Sequence, residues 1–99
     1  DLQLEPAEPP PTLYHGTPEA NVEPIRRTGL LKMARHHVHL SPDAATATKV
    51  GARRGRPVIL EVDAAAMRRA GFAFFRSHNG VWLVDAVPPA YVRFPESHR

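Results

Sequence analysis

Cysteine is absent from this chain of 99 residues, so no disulfide braces it and no thiolate can hold a metal. That leaves the redox compartment open. No apolar run approaches the roughly 20 residues needed to span a bilayer. The opening residues also lack the basic-then-apolar order of a secretory leader. The expectation is a soluble, cytoplasmic protein with no membrane partner. No internal repeat is visible, and the length leaves room for one small core and not for two. With 42% of the residues hydrophobic, disorder is expected only at the ends.

What is present is basic. The formal charge is +3 and the sequence pI about 10.0, a balance that suits a polyanionic partner without specifying one. The distribution says more than the sum. Arg53-Arg54-Gly55-Arg56 gathers three guanidinium groups around a glycine. With Gly51 nearby, backbone could approach an anion there. The pairs Arg26-Arg27 and Arg68-Arg69 fall on helical patterns and read as solvated faces.

Residues 1–11 are acidic and proline-rich, which reads as an extended linker; residues 95–99 read as a tail. Between them short apolar runs alternate with short helical patterns. Thr12-Leu13-Tyr14-His15 reads as a strand ending at Gly16. Helical turns follow from about Asn21, with Val22 and Ile25 inward and Gly29 as the stop. Val38-His39-Leu40 is a second strand. Ser41 then reads as a helix cap, with Pro42 at the first helical position; that helix runs to about Val50. Pro57 to Val62 is the strongest strand pattern, and Asp63 caps a helix over residues 64–70. Further strands are expected at residues 72–76, 81–84 and 91–94, with Ser77-His78-Asn79-Gly80 as a tight turn between two of them. The fold class is α+β: five or six short strands with two or three short helices.

Several polar residues allow more than one reading. His15, before Gly16 and Thr17, is either a strand-end histidine satisfied by a carbonyl or part of a ligand site. In the second case the unobstructed N–H and C=O of Gly16 pair a carboxamide and His15 meets a ribose hydroxyl. His37 and His39 are two apart and share one strand face. Such a pair can ligate zinc, but no third ligand stands at a suitable spacing, so no metal is expected. Asn79-Gly80-Val81-Trp82-Leu83 is either a hairpin feeding the core or part of a site. Arg35 has no partner that the sequence identifies. Nicotinamide plus a phosphate is the ligand pair that best suits two histidine-bearing strands beside an arginine.

Taken together, Leu13-Tyr14-His15-Gly16-Thr17, Gly29-Leu30, Met33-Ala34-Arg35-His36-His37-Val38-His39-Leu40-Ser41 and Ser77-His78-Asn79-Gly80-Val81-Trp82-Leu83 closely resemble the tRNA 2′-phosphotransferase family. Val50 to Val58 and Val87-Pro88-Pro89 fit its pattern too, so the resemblance covers residues 13–94. Each motif is weak alone; their order and spacing together are specific. The resemblance implies an ADP-ribosyltransferase-like lobe, the C-terminal one of two, over residues 12–94. It makes residues 1–11 the remnant of a linker from a missing N-terminal winged-helix lobe. It also implies a role in RNA processing, tRNA splicing included.

The resemblance further implies that NAD⁺ is consumed as a substrate and that 2′-phosphorylated RNA is the second partner. The products are 2′-hydroxyl RNA, nicotinamide and ADP-ribose 1″,2″-cyclic phosphate. Carried over to this sequence, it puts His15, Gly16, Thr17, His39, Ser41, Ser77, Asn79, Gly80 and Val81 at the dinucleotide. Arg35 clamps the 2′-phosphate, and Arg53 and Arg54 contact RNA or pyrophosphate. Arg35 and His39 are the catalytic candidates. Val81 stands where protein-modifying relatives carry glutamate, and a phosphate dianion needs no such base. Three of the family's four catalytic tetrad members lie in the N-terminal lobe, which these residues cannot supply. Two other functions compete: capping of terminal nucleic-acid phosphates with ADP-ribose, and a non-catalytic nucleic-acid-binding module.

Overall fold

The β-branched run predicted most strongly as a strand occupies the centre of the larger sheet. In a computed structural model, which describes residues 4–52 and 55–95, β1 is Thr12–Thr17 and β4 is Val58–Asp63, with β8 (Val92–Arg93) on the far side of β4. The order is β1-β4-β8, antiparallel throughout. A second sheet runs β3-β6-β5 from Val38–Leu40, Trp82–Val84 and Phe75–Arg76. A two-stranded ladder pairs β2 (Leu30–Leu31) with β7 (Ala86–Val87). The helices are α1 (Val22–Thr28), α2 (Ala44–Gly51) and α3 (Ala64–Arg69). The domain is therefore α+β, with more strands than expected, because two-residue ladders such as β2 and β7 are too short to show a period of two.

Alternation fixes what each face buries. Leu13 lies opposite Val62 and His15 opposite Leu60, so one face of β1 and β4 runs apolar until it reaches His15. Val38, Leu40, Trp82 and Val84 of the second sheet, Met67 of α3 and Phe74 join Leu13, Leu60 and Val62 in one buried cluster. His39 is exposed between buried Val38 and Leu40, as its position on the strand predicts.

The caps hold with one correction. Asp63 accepts the Ala66 N–H at 3.0 Å, as expected. The cap of α2 is Asp43, accepting the Thr46 N–H at 2.7 Å, rather than Ser41. Ser41 is instead committed to the sheet. Pro24 is tolerated because it falls in the first turn of α1, where its missing N–H has no intrahelical partner. The proline-rich opening is anchored against the domain. The Ala7 N–H donates to the Phe74 carbonyl at 2.9 Å, and the Pro11 carbonyl accepts from Ala65 at 3.0 Å. Residues 96–99 and 1–3 lie outside the described residues, and among those described no helix is long and apolar enough to cross a membrane.

Helix α2 lies directly on β1, and glycine permits the approach. A Cβ on Gly16 would stand 2.4 Å from the Ala47 carbonyl oxygen, and one on Gly51 would stand 3.0 Å from the Gly16 carbonyl carbon. Both obstacles are backbone, which cannot rotate aside. Gly16→Ala is accordingly expected to destabilise the domain by about 1–3 kcal/mol through overpacking, lowering the melting temperature by about 4–8 °C per kcal/mol. Thermal unfolding of the variant checks this, and an unchanged melt would show that α2 can lift away without cost.

Candidate functional site

The two three-stranded sheets meet edge to edge, and they separate after one pair of residues. Tyr14 and Ser41 exchange both backbone hydrogen bonds, each 2.8 Å. In an antiparallel pairing such exchanges recur at every second residue, so the next would join Gly16 to His39. Among the described residues the two strands make no such bridge. The His15 ring reaches across instead, its Nδ1 3.2 Å from the His39 carbonyl. The same alternation turns the N–H and C=O of Gly16 away from β4. They face the opening between β1 and β3.

That opening is a cleft of about 970 Å³. Of the residues singled out from the sequence, His15, Gly16, Thr17, Arg35, His39, Ser41, Asn79, Gly80 and Val81 line it. Ser77 does not; it organises the turn that does. Its hydroxyl donates to Asn79 Oδ1 at 2.6 Å and accepts the Val81 N–H at 3.1 Å. Among the described residues Asn79 uses only its Oδ1 in this turn, and its amide nitrogen is a further donor. Gly80 closes the turn at φ 82°, a conformation that favours glycine. Arg53 and Arg54 lie outside the described residues.

The lining extends beyond the residues predicted from the sequence. Lys32 and Arg76 add two cations, and Leu31, Met33 and Val50 add apolar surface. Arg76 pairs in register with Trp82, and its guanidinium stands 5.9 Å from the indole centroid. Its position just before the Ser77–Gly80 turn was the available signal. No carboxylate lines the cleft among the described residues. Arg35 and Arg76 therefore present positive charge with no acidic neighbour inside the cleft, while Lys32 is paired with Asp85 outside it; such a lining suits anions. Arg35 is carried on a tethered turn. β2 pairs with β7 just before it, Lys32 holds Asp85 at 2.8 Å, and the Arg35 N–H donates to the Lys32 carbonyl at 2.9 Å.

The histidines are set in one protonation state. A carbonyl only accepts, so His15 Nδ1, 3.2 Å from the His39 oxygen, and His39 Nδ1, 3.0 Å from the His37 oxygen, must each carry the proton. Burial holds the His15 pKa below the ordinary 6.5, against the opposing pull of its hydrogen bond to the His39 carbonyl, and the Arg35 charge pushes the same way as burial. His39 is lowered likewise, by burial first and then by Arg35. Both rings are neutral at pH 7, and each leaves Nε2 as a hydrogen-bond acceptor. No group of three or more His, Asp or Glu side chains gathers as a metal site among the described residues. The arrangement suits a ligand with hydroxyl donors, a carboxamide and phosphate charge.

Comparison with known proteins gives a consistent answer. The sequence model of the RNA 2′-phosphotransferase, Tpt1 / KptA family matches residues 1–86. The chain is 65% identical over 92 residues to a protein of Streptomyces griseus named "Probable RNA 2′-phosphotransferase", covering 93% of this chain and 49% of that protein. Proteins of the same name from Nostoc punctiforme and Streptomyces coelicolor are each 61% identical. They cover 94% and 99% of this chain and 51% and 54% of their own lengths. The chain thus spans about half the length of the curated relatives it matches.

The depressed histidines set a sign for stability. Between the folded pKa and 6.5 the unfolded chain binds more protons, so stability rises with pH there and levels off above it. Melting temperature measured between about pH 5.5 and 7.5 should climb and then flatten, and His15→Gln should remove much of the slope. A melt that improves on acidification would contradict the assignment.

Proposed function

This chain belongs to the RNA 2′-phosphotransferase, Tpt1 / KptA family, and from that membership we propose that it is the NAD⁺-binding half of an RNA 2′-phosphotransferase. The observation that carries this reading is the interrupted pairing of β1 with β3. It leaves the Gly16 amide groups beside two neutral histidines, in a cationic cleft without carboxylates.

Each element has a role in the reaction. The Gly16 N–H and C=O pair the nicotinamide carboxamide, and the Nε2 atoms of His15 and His39 accept ribose hydroxyls. An oxygen of the RNA 2′-phosphate attacks C1″ of the nicotinamide ribose. The C1″–N bond breaks, and its electron pair leaves with neutral nicotinamide. The 2″-hydroxyl oxygen then attacks phosphorus, the P–O2′ bond breaks, and the departing RNA 2′-oxygen takes up the proton that the hydroxyl loses. ADP-ribose 1″,2″-cyclic phosphate and 2′-hydroxyl RNA are released. Arg35 neutralises the phosphate through both steps with its planar fork of donors. A phosphate dianion is already nucleophilic, and apolar Val81 at the cleft avoids the repulsion that a carboxylate there would impose. The remaining half of the longer protein, a winged-helix lobe, supplies the rest of the phosphate and RNA site.

The test uses the longer protein containing this chain, NAD⁺, and oligonucleotides phosphorylated at an internal 2′ position or at the 5′ end. Cyclic phosphorylated ADP-ribose from the 2′ substrate alone is the expected outcome. A stable ADP-ribose cap on the 5′ phosphate would favour the capping function instead, and NAD⁺-indifferent, salt-sensitive RNA binding would favour the non-catalytic module. Arg35→Ala should cost about 2–4 kcal/mol in phosphate transfer, with ADP-ribosylated RNA accumulating; unchanged turnover would remove Arg35 from the mechanism.

A further inference from the structure

The turn that carries Arg35 holds a residue that neither the fold nor the chemistry above explains. Lys32 to Arg35 is closed by the Arg35 N–H donating to the Lys32 carbonyl, and Met33 occupies its second position with φ 55°. Among the described residues Met33 is the only non-glycine in the left-handed region. A turn with positive φ at that position favours glycine. An L side chain there is strained because its Cβ crowds the backbone carbonyl. Burial does not compensate, since Met33 is 82% exposed. Two local preferences are violated together at one residue, and that residue lines the cleft. Such outliers concentrate at ligand sites.

Its surroundings point the same way. Leu31 and Val50 are the other exposed large hydrophobics among the described residues, and both line the same cleft. Scattered apolar exposure is ordinary, but gathering all of it in one concavity marks a binding surface. The turn is also held in place, by the β2–β7 ladder on one side and the Lys32–Asp85 ion pair.

We propose that Met33 is a ligand-contacting residue whose thioether packs against a planar heteroaromatic ring of the bound dinucleotide, a step that rests on the NAD⁺ reading above. A thioether is polarizable and unbranched, and it makes favourable contacts with aromatic rings. Leu31 and Val50 complete the apolar wall, and the cations deal with the phosphates. The strained backbone is then retained because the side chain is needed at the mouth of the cleft.

Affinities of this chain for NAD⁺, ADP-ribose and nicotinamide mononucleotide, measured with Met33→Ala, Met33→Gly and Met33→Leu alongside the parent, test the proposal. Melting temperatures of the ligand-free proteins are the control. The Ala and Gly variants should bind NAD⁺ about three- to tenfold more weakly, the scale of a sulfur–aromatic contact. The Leu variant should retain most of the affinity. The Gly variant should melt no lower than the parent, because glycine adopts this φ without strain. A loss shared with nicotinamide mononucleotide and absent for ADP-ribose assigns the ring to nicotinamide; the reverse assigns it to adenine. Parental NAD⁺ affinity in the Ala and Gly variants, or equal losses for all three ligands, would overturn the role of Met33 while leaving the dinucleotide site standing. A parent chain that binds none of the three would overturn both.

Discussion

One reciprocal pair of backbone hydrogen bonds, between Tyr14 and Ser41, joins the two three-stranded sheets, and the site exists because the pairing stops there. Had it continued, Gly16 and His39 would have spent their amide groups on each other and the sheets would have closed into one surface. The His15 ring takes the His39 carbonyl instead, acting as a wedge that satisfies one strand edge while leaving the other open. Helix α2 rests on β1 at Gly16 too closely for any side chain to intervene. Backbone that a continuous sheet would consume is thereby kept for a ligand.

The charge distribution follows from the same opening. Lys32, Arg35 and Arg76 line the cleft without a carboxylate among its described residues, and Arg35 discourages protonation of His15 and His39. Like charges held together in a partly desolvated cleft repel, and a bound anion would relieve that repulsion. A ligand that binds only the folded state adds its binding free energy to stability. The cleft thus presents imidazole acceptors beside fixed cations, the features on which the proposed dinucleotide reading rests.

Much of this was legible in the residues. The β-branched run Val58-Ile59-Leu60-Glu61-Val62, the Asp63 cap and the Ser77-His78-Asn79-Gly80 turn each depend on local chemistry, and each stands where the pattern put it. His15, His39 and the turn before Val81, which the family resemblance singled out, come together at one cleft, although no local rule predicts it. The misses share a cause. Ser41 fits the pattern of a helix cap, but a tertiary partner, Tyr14, claims its backbone. Strands β2 and β7 exist only because each finds the other across the chain. Ser77 supports the cleft instead of lining it. Arg76 and Met33 come to line the cleft through the placement of their turns, and nothing about either residue type announces it.

Whether the interrupted β1–β3 pairing forms a dinucleotide site within this chain is read from backbone amide resonances recorded during NAD⁺ titration. Saturable shifts concentrated at His15, Gly16, Thr17, His39 and residues 77–81, with the amides of α3 unmoved, are the expected result. A dispersed spectrum of a folded protein that NAD⁺ leaves unchanged would contradict it.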